Sequence, residues 1–353
     1  MKNKIHLSIL VSFLCIAFSL TAQITVVAGT PATEPVSEPF SVDFDTSGIM
    51  HGVEFTKANR VFKVVNGIVM FIAGVEHGTN LKVTDAADGP AISALFYGMH
   101  DIAITGNKAY IADTFNNRIR LLDLAAGTVS TVAGSGISGF TGDNDTGMNV
   151  RFAQPICGVL SPDKKTLYVA DIGNGRTRTI DLATGIVQTI AGNGKKGPVV
   201  DGTAALDCPL RGTRAVTVTA DGTVYIVLRE GNSLVTLRNG VISNVVNASG
   251  KAGYAGDGGN GRDALMRGPK YLATDKENRV LINDTENHCI RRYDPASGVI
   301  ELIAGIPGKV SSNVGTTWLE TGLKRPHGVR IGPDGMLYVA DTENNRVLRG
   351  PYK

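Results

Sequence analysis

The sequence predicts an all-β chain closed into a six-bladed β-propeller, and three observations lead there. A phrase of constant shape recurs roughly every 57 residues along the 353-residue chain. Between its copies lie short β-branched and aromatic runs broken by Gly, Asn, Asp and Pro, as in a meander of strands. An isolated strand-like segment at 24–29 precedes the first complete unit.

The recurring phrase reads AYIADTFNNRI at 109–119, LYVADIGNGRT at 167–177, VLINDTENHCI at 280–290 and LYVADTENNRV at 337–347, with a worn copy, VYIVLREGNSL, at 224–234. A period of this size is the signature of a repeat architecture. Each unit divides into four strands. In the third, 156–160 leads through the turn Ser161-Pro162-Asp163-Lys164 to 167–170, then 176–181, then 186–191. Four antiparallel strands per repeat describe a propeller blade. Closing strands fall at 24–29, 67–74, 127–134, 185–192, 240–247 and 298–305, and the last unit ends after Val347 without one. The orphan at 24–29 therefore completes the sixth blade and removes two exposed sheet edges at once.

Residues 1–22 form a separate element. Lys2 and Lys4 precede an apolar run at 5–20 that ends in Thr21-Ala22, which is the pattern of a secretory signal peptide cleaved after Ala22. The run is short for a membrane span. The expected mature chain, 23–353, is thus a secreted or periplasmic propeller. Loss of Lys2 and Lys4 takes the formal charge from +3 to about +1, which gives no global attraction to nucleic acid or anionic membrane. Of four cysteines, Cys15 leaves with the leader; the odd set Cys157, Cys208 and Cys289 argues against a full disulfide framework. Nothing suggests more than a monomer.

The segments Pro326-His327-Gly328-Val329 and Asp341-Thr342-x-Asn344-Asn345-Arg346-Val347, the Val-Ala-Gly closings and the glycine-rich loop 253–259 resemble NHL repeats. That resemblance covers nearly all of the expected mature chain. It implies a six-bladed propeller, in agreement with the strand count. Function is not implied, because the family spans a peptide-amidating lyase, RNA-binding modules and many exported bacterial proteins, and folds host sites rather than reactions.

The first strand of a blade lines the central channel. Alignment on Pro-His-Gly-Val places Phe40, His100, Cys157, Arg214, Lys270 and His327 at one height around the axis. Four of the six are able to carry positive charge, so the ring predicts a site for a small anionic ligand or acidic glycan, since crowded cations repel unless an anion lies between them. Arg214 and Lys270 are the expected anion-holding groups, and His100 and His327 the expected general acid and base of a lyase or hydrolase. The alternative for each histidine is a structural bond to loop backbone. Tyr271, beside Lys270, is expected to face away by strand alternation and is a weaker ligand-binding candidate.

Asp113, Asp171, Asp284 and Asp341 end the second strands and are read as turn-forming residues. The first and fourth blades depart from this with Phe55 and Leu228, and the fourth supplies Arg229 as a further ligand-binding candidate. Long connectors at 75–97, 135–154, 193–211, 248–267 and 306–324 are expected beside the channel mouth. Their Tyr97, Phe140, Tyr254 and Trp318 act there either as stacking walls or as plugs.

Two other readings compete. By resemblance to the amidating lyase, His100, Cys157 and His327 make a chemically sound zinc set; Arg214 and Lys270 beside it oppose a cation. No cofactor is expected, with zinc or calcium as the alternative. A non-catalytic platform for a glycan or protein is the second. Nucleic-acid binding is excluded by the charge balance, and no Ser-His-Asp order, P-loop or dinucleotide fingerprint occurs.

Overall fold

The computed structural model describes residues 23–29, 35–76, 86–141 and 143–353, except for the side chain of Cys157. The expected leader at 1–22 lies outside the described residues. Within them every element is a strand or a short 3-10 turn, arranged as six antiparallel sheets. No helix among them is long and apolar enough to cross a membrane.

Blade 1 comprises Pro39–Phe44, Met50–Glu54, Val61–Val65 and Ile68–Ala73. Blade 2 begins at Met99–Thr105, blade 3 at Pro155–Leu160, blade 4 at Thr213–Val218 and blade 5 at Tyr271–Thr274. Blade 6 takes Gly328–Ile331, Met336–Asp341 and Arg346–Pro351 from the C-terminal end, and its outermost strand is Thr25–Ala28. Thr25 pairs with Arg349 and Val26 with Leu348, so the ring closes through the expected N-terminal strand.

The connectors do more than crowd the mouth. Gly89–Pro90, Thr203–Ala204 and Gly259–Asn260 each add a fifth, two-residue strand to the outer edge of the blade they are about to enter. Edges that would otherwise be open to pairing are covered. Each connector also buries a large apolar side chain just before turning into the next inner strand. These are Val36, Phe96, Phe152, Leu210, Met266 and Leu323, none more than 2% exposed. Each contributes on the order of 1.5–3 kcal/mol by leaving water. Of the loop aromatics Trp318 is a plug, whereas Phe140 stays exposed and Tyr254 half-buried. Trp318 is buried and donates its indole N–H to Pro351 O at 2.8 Å, while Phe140 lies under Arg176, 3.9 Å from the ring centroid, and Tyr254 bonds Asp257.

The turn carboxylates are structural, as expected. Asp113, Asp171, Asp284 and Asp341 accept the connector amides of Tyr97, Ala153, Arg267 and Lys324 at 2.7–2.8 Å. Three of them face arginines that are fully buried: Arg120, Arg178 and Arg291. A connector acid, Asp88, Asp143 or Asp257, reaches each of those arginines from the other side. Burial pushes Asp113 and Asp171 up to about 6 and Asp284 up to about 7. In blade 1 the equivalent residue is Glu54, not Phe55: Pro39 pairs with Glu54, whose carboxylate accepts from Ser37 N and from Arg60. One extra methylene fills the Asp role there, and only blade 4, with Leu228, gives it up.

Candidate functional site

At one mouth of the channel Phe40, Phe55, His100, Arg214, Arg229, Lys270 and His327 line a single cavity of about 340 Å³. This is within the range of small-ligand sites. A shallower depression of about 860 Å³ lies at the outer side of blades 3 and 4 around Leu206, Asp221 and Arg238, far from the axis.

A local device aims the ring residues. In blades 1, 2 and 4 the pairing skips one residue of the inner strand, between Pro39 and Ser41, Met99 and Asp101, and Thr213 and Ala215. Phe40, His100 and Arg214 are the residues skipped. A bulge of this kind leaves one residue unpaired and re-aims its side chain. It also breaks strict alternation, so the next residue turns toward the axis too.

Two expectations are corrected in this region. Tyr271 does not face away from the channel, nor does it line the cavity. Its hydroxyl donates to Asp101 Oδ1 at 2.7 Å and lies 3.0 Å from Ser41 Oγ, which itself donates to Asp101 at 2.6 Å. Asp101 also accepts Gly158 N at 3.0 Å. These groups from blades 1, 2, 3 and 5 form a hydrogen-bonded layer directly below the ring. The second correction concerns blade 3. Pro155 occupies the register of Pro39 and Met99, so Ile156 is the ring member and lines the cavity. Cys157 follows Ile156 along the strand, and its side chain lies outside the described residues.

The four polar ring side chains are nearly enclosed: Arg214 is 6% exposed, Lys270 4%, His100 8% and His327 7%. Both imidazoles are anchored at Nδ1, His100 to Gly98 O and His327 to Arg325 O, each at 2.9 Å. An N–H donated to a carbonyl leaves Nε2 as the unprotonated nitrogen. Burial holds both well below the ordinary histidine range, and the charges of Arg214 and Lys270 push them further down. The expected ring of four cations is therefore a pair of cations and two neutral imidazoles.

Lys270 is lowered to about 8 by burial, with Arg214 and Arg325 adding repulsion against the attraction of Glu286. Its Nζ lies 2.9 Å from Glu286 Oε1 and 3.3 Å from His327 Nε2. For Glu286, burial is the largest influence and raises it, but Arg325 and Lys270 together override this and hold it at about 2. Arg325 bridges Glu286 and Glu343 at 2.7 Å each. Arg229 reaches the same mouth and pairs with Glu230 at 3.1 Å.

The zinc alternative finds no support. Lys270 Nζ sits on the Nε2 lone pair of His327 that a metal would need. Among the described residues no group of three or more His, Cys, Asp or Glu side chains is placed to hold a metal ion. Cys208 and Cys289 are buried free thiols.

Sequence reasoning missed Phe115, Ile172, Gln154, Arg325 and Glu343, all of which line the cavity, and Glu286 beside it. Their common signal is position: two residues before the ring residue, or one to two after the turn acid. The residue two before the ring is left-handed in all six blades, with φ between 43° and 70° at Glu38, Gly98, Gln154, Gly212, Gly268 and Arg325. At Gly98 and Gly268 a Cβ would run into Phe115 and Glu286.

These features define a closed six-bladed β-propeller with a ligand-sized cavity at one end of its channel. Residues 323–349, in the last blade and the connector entering it, match the model of the NHL repeat. The chain is similar to NHL repeat-containing protein 2 of Gallus gallus, 26% identical over 345 residues, a match covering 89% of this chain and 46% of that protein. The chain thus spans about half the length of that relative. Two solved structures share the fold at low identity. One is an auxiliary nutrient binding protein from Bacteroides ovatus, 14% identical with TM-score 0.66, covering 93% of this chain and 76% of that one. The other is a catalytically inactive histidine-to-alanine variant of virginiamycin B lyase from Staphylococcus aureus with quinupristin, 13% identical with TM-score 0.56, covering 94% and 100%.

Proposed function

We propose that this protein is an exported propeller that binds a small anionic ligand, such as an acidic sugar, in the throat cavity, with Arg214 and Lys270 holding the anion. One observation carries the reading. Two buried cations repel each other and share a cavity with two neutral histidines, so the positive field of Arg214 falls on Lys270, His100 and His327 alike. An anion entering there relieves that repulsion, and in a low-dielectric site the gain is larger than at the surface. Glu286 offsets part of the charge of Lys270 and sets the threshold that a ligand must exceed.

The experiment is a calorimetric titration with glucuronate, sulfated sugars and their oligomers, using the wild type and R214A/K270A. The wild type binds, and a ligand held at about a hundred times its Kd adds roughly 2.7 kcal/mol of stability. The double variant stays folded and loses binding. Undiminished affinity in that variant rejects the reading in favour of a platform that captures partners through its loops.

Proton transfer is a second reading, favoured by the Nδ1 anchoring of His100. Among the described residues its Nε2 makes no hydrogen bond within the protein, and an imidazole kept neutral is able to take a proton from a bound ligand. The reaction class is elimination from an acidic sugar, read by the ultraviolet absorbance of the unsaturated product. His100→Asn retains binding and abolishes turnover if the reading holds; unchanged turnover removes it.

A further inference from the structure

The cavity is two-sided, and that asymmetry narrows the ligand. Going round the ring, blades 1 to 3 contribute Phe40, Phe55, Phe115, Ile156 and Ile172 beside the polar Glu38, His100, Thr114 and Gln154, whereas blades 4 to 6 contribute Arg214, Arg229, Lys270 and Arg325 beside His327, Thr342 and Glu343. Each set occupies one unbroken arc, because blades 1 to 3 and 4 to 6 are consecutive. The large apolar side chains therefore gather on one arc and the four cations on the other, where Glu230, Glu286 and Glu343 pair with Arg229, Lys270 and Arg325.

The apolar arc is not what the scaffold requires. In blades 2, 5 and 6 the residue after the turn acid is Thr114, Thr285 or Thr342. Its hydroxyl donates to the backbone of the next blade, at Pro155 O, Pro326 O and Pro39 O, at 2.7–2.9 Å. This latch ties neighbouring inner strands together. Blades 1, 3 and 4 put Phe55, Ile172 and Arg229 at the same position, forgoing the hydroxyl and directing side chains into the cavity. What replaces the latch matches its arc: apolar on blades 1 and 3, cationic on blade 4.

The aromatic groups also have the wrong geometry for a sugar. Sugar recognition by stacking needs an open aromatic face. Phe40 is sandwiched, with Phe55 stacked at 4.2 Å and His327 at 4.1 Å, and His100 stands edge-on to Phe40 at 4.9 Å and to Phe55 at 4.7 Å. With both faces of Phe40 covered, the apolar arc is completed by Phe55, Ile156 and Ile172. These accept apolar bodies but leave sugar hydroxyls buried against them without partners, which is unfavourable.

We infer that the throat selects a small amphipathic carboxylic acid, its carboxylate on the Arg214–Lys270 side and an apolar ring against Phe40, Phe55, Ile156 and Ile172. This rests on the anion-binding reading above and replaces the sugar as the preferred ligand.

The test titrates wild-type protein with phenylacetate, acetate, glucuronate and benzyl alcohol at one pH and ionic strength. Phenylacetate binds at least tenfold tighter than each of the other three. Ile172→Thr and Phe55→Thr, which install the residue already used by blades 2, 5 and 6, narrow the phenylacetate-to-glucuronate ratio at least threefold, with unfolding curves verifying an intact fold. Glucuronate binding as tightly as phenylacetate overturns this inference and leaves the anion reading standing. Benzyl alcohol matching phenylacetate, or no binding of either acid, overturns both.

Discussion

Blades 2, 5 and 6 and blades 1, 3 and 4 are built on one plan and differ where it meets the channel. The first set carries the threonine latch at the inner turn. In the second set, blades 1 and 3 keep the acid beneath that turn, as Glu54 and Asp171, but place Phe55 and Ile172 where the latch would be. Blade 4 loses both, with Leu228 and Arg229. The outer clamp of acid, connector amide and arginine is thus what the fold needs almost everywhere, and the inner position is what it releases. Side chains gathered at released positions are the ones that shape the cavity.

The largest expected effect separates the clamp from the ring. Asp284→Ala strips the fully buried Arg291 of its turn acid and leaves the Arg267 amide without its acceptor. Arg291 keeps Asp257 at 2.8 Å on its other side, so the cost is mainly that of the buried amide left unmet, about 1–3 kcal/mol; chemical denaturation registers that loss, while R214A/K270A changes stability less and binding greatly. A clamp variant as stable as wild type breaks the distinction.

The pH dependence of binding comes next. Lys270 sits at about 8 in the folded protein, below the ordinary lysine value, because burial and its cationic neighbours disfavour the charge. Its charge is present below that pH and lost above it, so anion affinity falls as pH rises through about 8. Lys270→Arg keeps a guanidinium charged across the range and flattens the profile. For stability the direction is reversed. The folded state releases the Lys270 proton before the unfolded chain does, so stability rises with pH between about 8 and the ordinary lysine value of 10.5. Titration calorimetry between pH 6 and 10 reads the affinity, and an identical profile in both proteins removes Lys270 from the site.

Smaller effects sharpen the comparison. Thr342→Val removes the hydroxyl that bonds Pro39 O and costs about 1 kcal/mol. Gln154→Gly relieves a left-handed side chain at φ 57° and gains up to about 1 kcal/mol. Urea unfolding measures both, and equal, near-zero shifts at Thr342 show that the latch carries no weight.

The blade count and the closure were legible in the sequence because a period and an orphan strand are one-dimensional signals. The ring was legible at Phe40, His100, Arg214, Lys270 and His327, whose spacing alone places them. At blade 3 the register slipped by one residue, to Cys157 in place of Ile156, because two residues instead of one separate Pro155 from Gly158 and the alignment followed the glycine. Alternation alone sent Tyr271 outward, whereas its hydroxyl reaches Asp101 and Ser41, partners on blades 2 and 1 that spacing does not reveal. Neutral histidines and the Glu286–Lys270 pair depend on burial and on residues brought together from blades 2, 4, 5 and 6, which spacing does not encode.

The most direct measurement of the central claim is a crystal structure with 4-bromophenylacetate, whose bromine is located by its anomalous scattering. The bromine is expected beside Phe55 and Ile172, with the carboxylate turned to Arg214 and Lys270. A bromine outside the throat, or a carboxylate directed away from both cations, contradicts it.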